Sequence, residues 1–236
     1  MVPMMSQEQL AVLPLWYAVF LLSLTCHEAA HAWTAHRGGD ATAYLGGQVT
    51  LNPLPHVRRE PFGTVLVPLL TYVAAGWMMG WASAPYDPRW SERHPRRAAL
   101  MAAAGPAANL LLAALAFAAL RGGIVGGLWA PAGESFAIDR HVVPLEGAGA
   151  TEGLGRFCSL LLFLNCLLAL FNLVPLPPLD GAAVASGLFP PARRGLDALR
   201  ATGVGGLLGL LVAMYAVRWL FGPVYGGVLR LLFWGS

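Results

Sequence analysis

The sequence has few charged side chains and no lysine. Only 11% of its 236 residues are charged, and all fifteen basic residues are arginine. Soluble domains typically carry about 25% charged residues, so this chain has too little polar surface to be a soluble globular protein. Hydrophobic residues make up 57% of the chain, and several apolar runs are about 20 residues long, the length that crosses the hydrocarbon of a bilayer. The sequence therefore predicts an integral membrane protein.

Cysteine and net charge are also scarce. The three cysteines, Cys26, Cys158 and Cys166, all lie in apolar segments, and an odd number in such places excludes a disulfide framework. A net charge of +3, without a pattern of basic and aromatic residues, excludes nucleic acid as a partner. Residues 1–9 contain Glu8 and no basic residue, which argues against a cleaved signal peptide.

Glycine and proline divide the apolar sequence into four long helices, expected at 10–37, 98–121, 157–174 and 203–221. The predicted fold class is an all-α polytopic membrane protein. We expect one domain over 1–236, with a three-helix core at 10–181 and an additional membrane region at 200–236. Val, Thr and Tyr residues surround Gly46-Gly47 in 41–51, which predicts a short membrane-associated β-hairpin there. Whether 223–236 spans the membrane stays open at this stage.

The distribution of arginine predicts the orientation of the helices. Arginines follow the first helix and recur at 83–97 and 193–200, whereas most of the charged residues in 122–156 are acidic. Because arginine-rich loops stay in the cytoplasm, the first helix should run inward and 122–156 should lie outside. The loops on both sides of 62–82 are then cytoplasmic. We therefore expect 62–82, which Pro68, Gly76 and Gly80 interrupt, to enter the membrane and return as a re-entrant segment.

The first apolar run contains an HExxH motif, formed by His27, Glu28 and His31. Histidines at i and i+4 share one face of a helix and can bind one zinc ion, with the glutamate beside them as general base. Ionisable residues inside a membrane helix are energetically costly and are functional by default. A catalytic zinc needs a third protein ligand. Asp180 is the acid best placed for this, since it directly follows the run 157–174 and should reach the same face of the membrane as His31.

Three motifs in this order resemble the site-2 protease family, peptidase family M50. They are the HExxH motif, the GPAAN sequence at 105–109 and the NxxPxPPxDG pattern at 172–181. Asn52-Pro53-Leu54 and Gly80-Trp81-Ala82 are similar to sequences of compact bacterial and archaeal members. The loop 122–156 is too short for the PDZ domain of some relatives, and no CBS domain is expected after the last helix.

The resemblance implies a role for each matching residue. His27, His31 and Asp180 match the ligands of one Zn²⁺ per chain, and Glu28 matches the catalytic glutamate. Asn172 matches an asparagine near the scissile carbonyl, although it could equally bond the carbonyls freed at its own helix end. Gly105 and Asn109 are expected to serve close helix packing.

The family also implies an activity and a location. The activity is cleavage of transmembrane helices of membrane-protein substrates. The location is a prokaryotic inner membrane, with the active site towards the cytoplasm. Residues 41–51 could offer a strand edge to an unwound substrate.

Two alternatives compete with the protease. One is a catalytically silent membrane scaffold or chaperone that retains the fold, and the other is a metal transporter that uses the same ligands. An intact Glu28 favours the enzyme over the scaffold, because neither a scaffold nor a structural metal site needs a base. A transporter would be expected to have ligands along a path through several helices, whereas these cluster at one depth. The substrate, the cleavage position, the regulatory signal, the oligomeric state and the role of His56 cannot be inferred from the sequence.

Overall fold

The computed structural model of the chain describes residues 6–147 and 149–235. In chain order its elements are α1 (Gln7–Arg37), α2 (Thr42–Leu45), α3 (Pro53–Arg59), a π-helical turn (Phe62–Leu66), α4 (Val67–Ala75), α5 (Pro88–Arg93), α6 (Pro95–Val125), β1 (Trp129–Pro131), a 3₁₀ turn (Gly133–Ser135), β2 (Val142–Pro144), α7 (Ala150–Asn172), α8 (Asp180–Leu188), α9 (Pro190–Ala201) and α10 (Gly205–Leu232).

Within the described residues, four helices are long and apolar enough to cross a membrane: α1, α6, α7 and α10. This confirms the predicted fold class. Helices α1, α6 and α7 pack against one another around a core that includes Phe20, Leu120 and Leu160. Helix α10 lies against α7 at the side of this trio, and many of its leucines face outward, as expected for a surface in contact with lipid.

The helix ends differ from those expected because local contacts extend the helices. Helix α1 begins three residues earlier, since Ser6 and Gln9 form a reciprocal capping box with bonds of 2.9 and 3.1 Å. Helix α6 continues past Gly122 to Val125, because the Trp129 ring packs where a side chain on Gly123 would lie. Helix α10 runs through Pro223 to Leu232 as one element. Pro223 has no backbone N–H to donate, and membrane helices tolerate this loss. Residues 223–232 therefore belong to one of the four helices that are long and apolar enough to span a membrane.

The β-hairpin is present, but its predicted position is wrong. Residues 41–51 form α2 and irregular turns, and the strands are β1 and β2, which pair antiparallel with Trp129 opposite Pro144. The Asp40 carboxylate accepts bonds from the backbone N–H and the hydroxyl of Thr42, which favours a helical turn over a strand. Gly47, at φ +70°, helps end that turn instead of connecting two strands.

The segment 62–82 enters and leaves the bundle at the same end, in the manner of a re-entrant element. Its helical part descends along α1 until the Tyr72 hydroxyl donates to the Gln9 carbonyl. Gly76 then reverses the chain in a left-handed conformation. The returning strand-like residues lie beside the entry point, where Trp81 N–H donates to the Gly63 carbonyl and Ser83 bonds Glu60.

The opposite end of the bundle is closed by the hairpin. Arg140 and Arg156 both form ion pairs with Glu8 at the start of α1, at 3.0 and 3.3 Å. Beneath them, His141 is fully buried and bonds the Tyr225 hydroxyl of α10. Burial lowers the pKa of His141 to about 4, so this ring is neutral at physiological pH. These contacts join α1, the hairpin, α7 and α10 at one face of the membrane.

Candidate metal centre

The HExxH residues lie in the buried part of α1. His27, Glu28 and His31 are 6%, 4% and 7% exposed, and the two imidazoles are one helical turn apart with ring centroids separated by 4.5 Å. The surrounding α1 residues are mainly Ala, Leu and Thr, so the helix holds three ionisable side chains in an apolar environment. Their location inside the bundle requires partners on other elements.

Gly105 makes the space that the two imidazoles occupy. A Cβ atom at this position of α6 would lie 2.3 Å from His31 Nε2 and 2.6 Å from His27 Nε2. Both distances are far shorter than any van der Waals contact. Helix α6 can therefore approach the HExxH face of α1 only with glycine at 105, a role more specific than general helix packing.

Asp180 reaches the histidines because α8 packs very closely on its neighbours. Side chains on Gly181 and Gly187 would lie 2.4 Å from the Leu173 carbonyl and 2.3 Å from the Pro95 carbonyl. The two glycines thus hold α8 against the turn after α7 and against the start of α6. Asp180, the first residue of α8, is directed at the HExxH face as a result.

The three side chains converge on one point. Asp180 Oδ2 lies 3.2 Å from His27 Nε2 and 3.3 Å from His31 Nε2, and the two Nε2 atoms are 2.9 Å apart. Each residue offers one ligand atom within a group that fits a single metal ion. Two imidazoles and a carboxylate, with room for a further ligand, are the donor set of catalytic zinc sites.

The hydrogen bond of each histidine Nδ1 determines which ring nitrogen carries the proton and which one presents a lone pair. His31 Nδ1 lies 2.7 Å from the Met101 carbonyl, and His27 Nδ1 lies 2.7 Å from Asn109 Oδ1. Since both oxygens only accept, both Nδ1 atoms carry the proton and both Nε2 atoms present lone pairs. The carboxylate Asp180 Oδ2 accepts no hydrogen bond. Three acceptors within 3.3 Å of one another repel unless a cation lies between them, so this donor set fits a metal ion.

Comparison with known proteins agrees with this geometry. The profile of peptidase family M50 matches residues 16–216. The chain belongs to peptidase family M50. It is 36% identical to YwhC of Bacillus subtilis over 78% of this chain and 74% of that protein. It is 31% and 33% identical to Rip2 of Mycolicibacterium smegmatis and Rip2 of Mycobacterium tuberculosis, over 88% of this chain and 70% of each relative. The names of these relatives class them, provisionally, as zinc metalloproteases. No solved structure matches the chain.

Glu28 is the acidic residue of this M50 site whose charge acts on His31. Within the described chain, its carboxylate forms no hydrogen bond or ion pair, although it is 4% exposed and next to His27. A buried carboxylate that accepts no hydrogen bond is energetically unfavourable, which is typical of a group kept available to exchange a proton.

Asn172 lies at the end of α7, near the turn that supports Asp180. Its side-chain amide donates to the Leu168 carbonyl of its own helix at 3.0 Å. The carbonyl of the next residue, Leu173, lies where a side chain on Gly181 would be placed. The end of α7 that carries Asn172 therefore packs closely against the start of α8. The bond to Leu168 is the helix-end interaction considered as the alternative for this residue, and its part in catalysis stays a prediction.

Sequence reasoning missed the groups that support the two histidines. The sequence predicts helix packing for Asn109, but its side chain also bonds His27, and the Met101 carbonyl bonds His31. The signals for Asn109 are its place in the GPAAN motif and a polar amide within an apolar helix. The sequence has no signal for Met101, because its main-chain carbonyl acts and its side chain does not. His56 is buried, with Nε2 3.2 Å from the Thr50 carbonyl.

Proposed function

We propose that this M50 protein is an intramembrane zinc metalloprotease that hydrolyses peptide bonds in or near the transmembrane segments of other membrane proteins. The observation that carries the proposal is the three-acceptor cluster of His27, His31 and Asp180 inside an apolar helix bundle, with the free carboxylate of Glu28 beside it. A zinc ion bound there would supply Lewis-acid activation of water and of the peptide carbonyl.

An apolar cleft beside the cluster supports a membrane-embedded substrate. It has a volume of about 480 Å³, within the range of sites that bind other molecules. It lies between α1 and α6, and its lining residues are Cys26, Ala29, Ala30, Trp33, Val49, Thr50, Leu51, Ala108, Leu111 and Leu112. Because Ala29 and Ala30 are the two central residues of HExxH, the cleft borders the motif itself. An unwound apolar segment fits this lining better than a soluble polar peptide.

Residues 41–51 offer no strand edge to that segment. The hypothesis that 41–51 adds a strand to the substrate fails, because these residues form α2 and turns. Val49, Thr50 and Leu51 instead line the cleft with apolar and hydroxyl groups. Substrate recognition in this proposal therefore depends on apolar contacts in the cleft.

Within the site, each residue has a distinct part. His27, His31 and Asp180 would hold the zinc ion. Glu28 would take the proton of the attacking water and return it to the leaving amine. Asn172 would donate its amide to the developing negative charge on the scissile carbonyl, for which it would exchange its bond with Leu168.

We place the site at the cytoplasmic side of a prokaryotic inner membrane, because arginines concentrate at its end of the bundle. Cysteines introduced at exposed positions in α5 and in the 3₁₀ turn, in a variant with Cys26, Cys158 and Cys166 replaced by alanine, test this orientation. In intact bacteria, a membrane-impermeant maleimide should label Glu134→Cys but not Glu92→Cys. Both should react after permeabilisation. The reverse labelling pattern would place the active site at the outer face.

Metal removal tests the proteolytic function. We expect the purified protein, in proteoliposomes with a panel of single-span substrates, to hold about one zinc ion per chain and to cleave at least one substrate. Phenanthroline should stop cleavage by removing the metal, and added zinc should restore it, because the three lone pairs of the ligand cluster can bind zinc again. The products and the zinc content are measured by mass spectrometry.

Two results would contradict the proposal. Cleavage that persists after complete zinc removal would exclude a metalloprotease. Stoichiometric zinc without cleavage of any substrate, in a panel that includes helices with central glycine and proline, would favour the catalytically silent scaffold.

A further inference from the structure

Three polar side chains are buried together behind the His27 ring. Ser23 of α1, Asn109 of α6 and Asn165 of α7 each have 0% exposure, and each comes from a different spanning helix. Amides and hydroxyls at membrane depth are energetically unfavourable unless every group is bonded. Each group donates to the next in one direction, from the imidazole to the main-chain carbonyls of the helices.

The first part of the network fixes the orientation of Asn165. The Ser23 hydroxyl donates to the Val19 carbonyl at 2.7 Å, which leaves its oxygen free to accept. Asn165 Nδ2 donates one hydrogen to Ser23 Oγ and the other to the Leu161 carbonyl, both at 2.8 Å. Because a main-chain carbonyl cannot donate, reversing the Asn165 amide would place two oxygens against each other. Its Oδ1 must therefore face Asn109.

The second part of the network fixes Asn109 and, through it, His27. Asn109 Nδ2 donates to Asn165 Oδ1 at 2.8 Å and, at a longer 3.4 Å, to the Ser23 carbonyl. Asn109 Oδ1 consequently faces His27 Nδ1 at 2.7 Å and can only accept. His27 then carries its proton on Nδ1 and directs the Nε2 lone pair towards His31 and Asp180.

We infer that Asn165, supported by Ser23, is a positioning residue that selects the metal-binding tautomer of His27 through Asn109. If the Asn109 amide were reversed, its N–H groups would face Nδ1, and the imidazole proton would move to Nε2, where a metal must bind. His31 needs no such chain, since the Met101 carbonyl fixes its tautomer directly. The inference rests on the proposed metal centre and assigns a function to an asparagine that touches neither metal nor substrate.

The test compares Asn165→Leu with Asn165→Asp in the full-length protein in detergent micelles. Leucine removes the acceptor that holds Asn109, and we expect zinc affinity to fall roughly tenfold, at the lower end of the effect of groups that orient metal ligands. Aspartate at this buried position is expected to be protonated, so that its hydroxyl replaces an amide donor while its carbonyl oxygen still faces Asn109, and its zinc affinity should stay close to that of the wild type. Zinc dissociation constants are measured by competition with a chromophoric chelator, and the unfolding temperature of the metal-free protein is recorded for each variant.

Ser23→Ala gives a second, milder variant, and Ser159→Ala is its matched control. Ser159 of α7 is also fully buried, donates to the carbonyl four residues earlier, and accepts one bond, but from the His141 N–H of the hairpin and not from the network behind His27. Ser23→Ala should weaken zinc binding about threefold, the effect of one hydrogen bond, whereas Ser159→Ala should lower the unfolding temperature alone. If Asn165→Leu does not fold, this pair decides the question.

Equal zinc affinity in all variants, or equal losses for leucine and aspartate at position 165, would overturn the inference and leave a purely structural network. The zinc titration needs no substrate. A wild-type protein that binds zinc and cleaves nothing would therefore refute the protease while the tautomer network could still be tested. Full cleavage with unchanged zinc affinity in Asn165→Leu would refute only the network.

Discussion

Glu28→Gln is expected to reduce cleavage by a factor of about 10² to 10⁴, the contribution of a general base, while zinc stays bound. Glutamine has nearly the shape of glutamate but cannot accept a proton from water. Because the Glu28 carboxylate makes no hydrogen bond or ion pair within the described chain, its replacement should disturb little else. Cleavage rates in proteoliposomes and zinc content of the same preparation are the two measurements.

A second glutamate of α1 provides the control. Glu8 lies at the other end of the helix, is 67% exposed at its side chain, and pairs with Arg140 and Arg156. Glu8→Gln removes the same charge from the same helix and should cleave as the wild type does. If Glu28→Gln loses zinc together with activity, Glu28 supports the metal centre and is not the base. A variant that cleaves at the wild-type rate would exclude a catalytic role altogether.

The spanning helices could be predicted from the sequence because the signal for each is local. Apolar runs of bilayer length formed α1, α6, α7 and α10, and the i, i+4 spacing of His27 and His31 placed both rings on one face. Asp180 could be located by counting membrane crossings, because the re-entrant segment at 62–82 leaves the number of crossings unchanged. Both inferences depended on spacing and charge, which the sequence contains directly.

Features that depend on contacts between distant segments could not be predicted in this way. Residues 41–51 have the composition of a strand, but the Asp40 carboxylate and its bonds to Thr42 stabilise a helical turn. The strand pairing forms instead in the loop 122–156, where Trp129 packs on Gly123. Tertiary contacts override β-propensity in both places.

The support of the metal centre was hidden for the same reason. Asn109 lies 82 residues from His27, and Asn165 lies a further 56 residues along the chain. In the sequence each is an isolated amide in an apolar helix. Only the packing of α1, α6 and α7 against one another shows that the two amides are bonded. The sequence thus predicts the ligands of the proposed site, and the packing of three helices supplies the groups that orient one of them.

Gly105→Ala is expected to abolish zinc binding and cleavage with little loss of helix stability. The added methyl group would lie 2.3 Å from His31 Nε2 and 2.6 Å from His27 Nε2, so the rings must move by about 1 Å or α6 must separate from α1. A displacement of about 1 Å at a reacting centre costs on the order of 10²-fold in rate, and the same displacement removes the convergence of the three ligand atoms. Zinc affinity should therefore fall with activity, in contrast to Glu28→Gln.

Gly122→Ala is the matched control on the same helix, since a Cβ atom at 122 meets nothing within 4 Å. Alanine is the better helix former, so both variants should keep their helices, and only Gly105→Ala should lose zinc. Overpacking at 105 should also lower the unfolding temperature of the metal-free protein, whereas Gly122→Ala should not. Normal zinc affinity in Gly105→Ala would mean that α6 does not approach the HExxH face as closely as these distances require. If Gly105→Ala loses zinc and Gly122→Ala does not, the first residue of the GPAAN motif keeps the space for the ligand cluster, because its position tolerates no side chain.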